Sequence, residues 1–290
     1  MWAAVPLIAA FLLEYSFYLV PGFESLRLSL RTRLPSWQLA LATALSALLP
    51  YLAYSIPTGQ FRQSDCAALL GIMAAVSFWY VVLPRSPVSD VLFLGLLAAV
   101  VLSRSFAWIY TSPVPVRLDI LGHLALIHTG AMAALEIRRV EGIRFGFIPG
   151  QHEGITGVRY FFYFLPIGFP LALWLGAVHL TFTPFLFGKT LATFFAALWV
   201  TALSEEFVFR GLLQQWLVQW TGKPYLALAM ASLVYGAAHL PFRAFPNWRI
   251  AAVTTVLGLF CGLAYQKTAS IRASMVTHAL VVTLWRTMFV

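Results

Sequence analysis

The sequence predicts an all-α fold, a polytopic transmembrane helix bundle of about eight to ten membrane helices. Three observations carry that expectation. Hydrophobic residues make up 61% of the 290 positions. Charged residues make up only 10%, where a soluble domain carries roughly 25%. The apolar residues also fall in recurring runs of about 20, the length that crosses a hydrocarbon core of roughly 30 Å. A mean hydropathy of +0.83 agrees. This composition cannot build a water-facing surface, so soluble enzymes, disordered tails and nucleic-acid-binding domains are excluded.

Taken in order, the runs place spans near 2–20, 36–56, 66–83, 89–110, 118–135, 158–180, 184–204, 224–240, 249–266 and 272–289. The first lacks a basic n-region and a small-residue cleavage pattern before Pro21-Gly22, so it reads as a span rather than a cleaved signal. The runs at 89–110 and 224–240 allow bent, tilted or re-entrant helices, and an amphipathic piece at 205–221 continues the seventh span. The longest polar stretch, Glu136 to Arg159, contains Arg138, Arg139, Glu141, Arg144, His152 and Glu153. It separates front helices at 1–135, of unknown role, from a back segment at 158–290, with 136–157 as a polar connecting loop. No internal repeat of solenoid or transporter type is visible.

The net charge of +9 is uneven. All ten acidic residues lie at or before Glu206, and residues 207–290 hold seven Lys or Arg. These cations punctuate apolar runs, which suits anchoring against anionic lipid headgroups rather than nucleic acid. Loops one, three and five carry Arg27, Arg31, Arg33, Arg85, Arg138, Arg139, Arg144 and Arg159; loops two, four and six carry Arg62, Arg104, Arg117 and Lys189. That bias puts the N-terminus outside and the polar end of span seven toward the cytoplasmic leaflet. The expected location is a bacterial inner (plasma) membrane. Cys66 and Cys261 lie in apolar stretches without metal-ligand spacing.

Chemistry concentrates in the last 90 residues. Glu205 and Glu206 stand side by side between two apolar segments, where each charge costs about 2.5–3.5 kcal/mol at a helix centre. Glu206 and Arg210 share a helix face at i, i+4 and can pair. Glu205, rotated by about 100°, is left to meet another group. Tyr235 and His239 share a face of the next helix, which Pro241 ends near His239. His278 lies inside the final apolar run, where ionisable residues face a bundle interior or cavity. Each has a plain structural explanation: a headgroup-level Glu–Arg cluster, a histidine on its own helix carbonyls, a hydrogen bond between spans. Together, a carboxylate base and two imidazoles suit water activation and amide hydrolysis. His152-Glu153 lacks the second histidine of a zinc-protease motif and reads as loop surface.

The pattern resembles the CAAX-protease and bacteriocin-processing (CPBP, Abi) family of intramembrane proteases, related to the prenyl-protein CAAX endoprotease. Its Glu-Glu-x-x-x-Arg motif matches at Glu205, Glu206 and Arg210; its Phe-x-x-x-His motif matches at His239 with Tyr235 in place of Phe; its His-x-x-x-Asn/Asp motif matches at His278, with Val282 at the polar position. The resemblance covers roughly residues 155–290. It implies a glutamate-dependent intramembrane endopeptidase. Glu205 is the general base, His239 positions the water, and His278 steadies the oxyanion. Glu206, Arg210 and Tyr235 support them. The substrate is a membrane-associated peptide or protein, with the lipid bilayer as the other partner. Metal-free chemistry is the expectation; the alternative is zinc held by Glu205, His239 and His278. Val282 cannot donate a hydrogen bond, so a catalytically weak or inactive scaffold acting in immunity or partner stabilisation is the rival reading. A transporter using Glu14, Glu205 and Glu206 is the third.

Overall fold

The computed structural model describes residues 4–179 and 187–288, which are helical with no strand. Residues 2 and 3 of the first expected span, residue 180 of the sixth, 184–186 of the seventh and 289 of the last lie outside them. Among the described residues, seven helices are long and apolar enough to cross a membrane. The chain is therefore an integral, multi-pass, all-α membrane protein. Its contacts fall into two units, Met1–Glu141 and Gly142–Val290.

In the first unit, α1 (Ala4–Gly22), α3 (Ser36–Ser55), α4 (Gln63–Val82) and α7 (Asp119–Arg138) are spanning helices. The short α2 (Glu24–Arg33) buries none of its side chains. α3 is interrupted at Ala47, where Pro50 lacks the N–H that would bond the Ser46 carbonyl. The run at 89–110, expected as one span, is two helices: α5 (Pro87–Leu102) and the five-residue α6 (Ser105–Ile109). Arg104 adopts φ 52° between them, a left-handed conformation that no right-handed helix passes through. α7 is the central helix, with 83% of its most apolar window buried. Its polar residues consequently point at other helices. His128 Nδ1 lies 2.9 Å from Glu14 Oε1 and its Nε2 3.2 Å from Ser46 Oγ. Glu136 takes a 2.7 Å hydrogen bond from Arg27. Arg138 grips Asp90 through two 2.9 Å hydrogen bonds.

The second unit contains α8 (Gln151–Trp174), α9 (Phe187–Thr221), α10 (Pro224–Ala238), α11 (Trp248–Thr268) and α12 (Ile271–Met288). α8 starts seven residues before the expected span at 158. The Glu153 carboxylate accepts a 2.7 Å hydrogen bond from the Gly150 N–H and pairs with Arg272 at 2.8 Å. Glu153 is thus a buried capping residue, not the loop surface the sequence suggested, while His152 beside it is exposed. α10 and α11 form a tight hairpin. A Cβ on Gly258 would come within 3.1 Å of the Ser232 Cα, so the glycine is what permits the two backbones to approach. α8 and α11 flank α12, which buries ten of its side chains. That burial explains why α12 can hold polar residues in mid-run: it faces protein, not lipid. The core here gathers Phe164, Ala172, Tyr235, Val253, Leu257, Cys261 and Val281.

Candidate active site

α9 sets the geometry. Its regular turn Leu203–Glu206 lies between two wider, π-type stretches, Ala197–Ala202 and Phe207–Gln214. Such stretches often accompany functional sites because they re-aim side chains at the cost of ideal hydrogen bonding. The turn carries two carboxylates with different surroundings. Glu206 is fully buried, with Oε2 3.2 Å from Arg210 Nε and Oε1 2.8 Å from His278 Nδ1. The His278 contact joins residues 72 apart in sequence, and no local spacing announced it. Glu205 has a side chain 28% exposed. Its Oε2 lies 3.8 Å from His239 Nε2 and 3.8 Å from His278 Nε2. That oxygen accepts no hydrogen bond among the described residues.

The histidines are oriented from behind. His239 follows the last residue of α10, and its Nδ1–H donates to the Tyr235 carbonyl at 2.9 Å. This satisfies a helix-end carbonyl and turns Nε2 toward Glu205. The His278 Nδ1–H donates to the Glu206 carboxylate, which turns its Nε2 the same way. Tyr235 packs between them, its ring centroid 4.7 Å from His239 and 6.0 Å from His278. Its hydroxyl lies 3.5 Å from His278 Nε2. The Arg210 guanidinium sits 5.3 Å over the Tyr235 ring, a cation–π contact in a desolvated place.

Glu205, Glu206, Arg210, Tyr235, His239 and His278 therefore meet in one cluster drawn from α9, α10, the residue that ends α10, and α12. Val282 is half-buried and brings no donor. The neighbouring Thr283 hydroxyl is engaged by the Ala279 carbonyl at 2.6 Å. Trp285 packs at the edge of the apolar core. Cys261 of α11, which the sequence placed in an apolar run, is buried in the apolar core with Tyr235.

Zinc ligands at 2.0–2.2 Å stand about 3.4 Å from one another in a tetrahedral site. Glu205 Oε2 is 3.8 Å from each imidazole nitrogen. Among the described residues, no group of three His, Cys, Asp or Glu side chains is arranged to hold a metal ion.

Residues 187–284 match the family model described as Type II CAAX prenyl endopeptidase Rce1-like. The match runs from the start of α9 into α12, includes every residue of the cluster, and leaves α8 and the first unit outside. No curated protein and no solved structure matches the chain.

Proposed function

We propose, proceeding from a segment at 187–284 that belongs to the CAAX endopeptidase family, that the chain is an intramembrane endopeptidase working by glutamate-activated water. One observation carries the reading: Glu205 presents a carboxylate oxygen without a hydrogen-bond partner to two imidazole nitrogens, while the adjacent Glu206 is consumed by Arg210 and His278. The doublet thus divides into a base and an anchor. A water held by Glu205 and His239 directs its hydrogens at Glu205 Oε2 and His239 Nε2, both acceptors as oriented. Its oxygen attacks the scissile carbonyl as a proton passes to Glu205, and Glu205 then protonates the leaving nitrogen. His278, held by Glu206, faces the same space and steadies the developing negative charge when protonated at Nε2.

The substrate is a membrane-associated peptide or protein, reached from the cytoplasmic leaflet of a bacterial inner membrane. No step in this scheme requires a metal. Glu205→Gln is expected to abolish cleavage with the fold intact. Comparing membrane peptides from cells with wild-type and Glu205→Gln protein identifies the substrate class. Metal analysis of the purified chain with a chelator titration checks the rest. Unchanged turnover in Glu205→Gln removes the base, and stoichiometric zinc whose removal stops cleavage replaces the metal-free route.

A further inference from the structure

Hydrolysis requires donors for the oxyanion as well as a base, and the side chains around Glu205 are short of donors. The Nδ1–H of His239 is held by the Tyr235 carbonyl and that of His278 by Glu206. A neutral imidazole held in this way shows a lone pair at Nε2, so His278 donates there only in its protonated form. Val282 has no polar group, and the Thr283 hydroxyl bonds its own helix. Arg210 is held at Nε by Glu206, and its Nη1 and Nη2, without a hydrogen-bond partner among the described residues, belong to a guanidinium that lies over the Tyr235 ring. The Tyr235 hydroxyl is the donor beside His278 Nε2. It is buried and lies 3.5 Å from His278 Nε2. A cation against the face of a phenol ring withdraws electron density and makes its O–H a better donor.

We infer that Tyr235 is a catalytic residue whose hydroxyl donates a hydrogen bond to the oxyanion, supplying the donor that Val282 lacks. The inference rests on the hydrolytic reading above. As the water oxygen bonds to the carbonyl carbon, the C=O electron pair moves onto oxygen and the water proton goes to Glu205. The Tyr235 O–H turns from His278 Nε2 to the new oxyanion. On collapse the C=O bond re-forms, the C–N bond breaks, its electron pair stays on nitrogen, and Glu205 returns the proton there. Tyr235 keeps its own proton throughout.

The test uses the full chain in lipid vesicles with an internally quenched prenylated CAAX peptide and any peptide found in the proteomic comparison. Tyr235→Phe keeps the ring, its contacts with Phe209 and His239, and the Arg210 stacking. Its kcat is expected to fall about 10²–10³-fold, with KM and Tm unchanged. Adding Val282→Asn to Tyr235→Phe restores a large part of kcat, because the new amide supplies a donor one helix turn from His278. A phosphinic analogue of the same peptide loses affinity in parallel with kcat, while the cleaved product does not. A Tyr235→Phe enzyme with wild-type kcat overturns the assignment, as does a loss that follows Tm or weakens product binding equally. If wild type cleaves and Glu205→Gln does not, such a result removes Tyr235 alone. A wild type that cleaves no peptide removes both.

Discussion

Two adjacent glutamates show how position on one turn decides a residue's work. Glu206 has no exposure and two charged or chargeable partners, Arg210 and His278. Removing one member of a buried pair strands the others without compensation, at a cost of about 3–5 kcal/mol. Glu206→Gln is therefore expected to lower stability strongly, read as Tm and detergent-resistant folded fraction. Glu205 is partly exposed and its Oε2 accepts no hydrogen bond among the described residues. Glu205→Gln is expected to stay within about 0.5 kcal/mol of wild type. The two variants should separate cleanly: one loses turnover in a folded protein, the other loses the folded protein. Equal stability in both would contradict the division of the doublet into base and anchor.

Helices α8, α10, α11 and α12 owe their spacing to small residues. Gly157 of α8 faces α12: a Cβ there would lie 2.6 Å from the Ala273 carbonyl oxygen. A backbone atom cannot move aside as a side-chain tip can. Gly157→Ala must push α12, which carries His278, away from α8, and overpacking of this kind costs about 1–3 kcal/mol. Cleavage is expected to fall with stability. Gly95 in α5 makes the control, since a Cβ there meets nothing within 4 Å. Gly95→Ala is expected to stabilise by about 0.5–1 kcal/mol through helix propensity alone. Thermal unfolding of the two variants, side by side, should give shifts of opposite sign. The same elements show the limits of local pattern. The start of α8 at Gln151 depends on Glu153 folding back to the Gly150 N–H, and the break at Arg104 depends on one left-handed residue. The first lies in a polar stretch and the second at Ser103-Arg104-Ser105, but polarity alone states neither a helix cap nor a left-handed residue.

Across the whole molecule, three buried acids of the first unit have structural partners: Glu14 with His128, Asp90 with Arg138 and Tyr80, Glu136 with Arg27. Under the proposed hydrolysis these acids hold helices together and take no part in cleavage. Glu14→Gln is expected to lower stability but leave kcat per folded molecule unchanged, whereas Glu205→Gln stops cleavage. Peptide turnover and proton uptake measured on the same proteoliposomes decide the matter. Proton uptake that disappears with Glu14→Gln, in a protein that cleaves nothing, would restore the transport reading.

The amino-acid sequence by itself determined the class of the protein, because a shortage of charge leaves lipid as the only solvent that can face so apolar a chain. It also determined whatever depends on neighbours within one helical turn. The Glu206–Arg210 pair follows from i, i+4 spacing, and the end of α10 beside His239 follows from Pro241. Only the tertiary structure decided which groups from different crossings meet. The contact of His278 with Glu206 and the shared approach of two imidazoles to Glu205 join residues tens of positions apart. Helical periodicity states which face a residue occupies, but not which helix lies opposite. That is fixed by close packing at positions such as Gly157 and Gly258, where the absence of a side chain lets one backbone come near another.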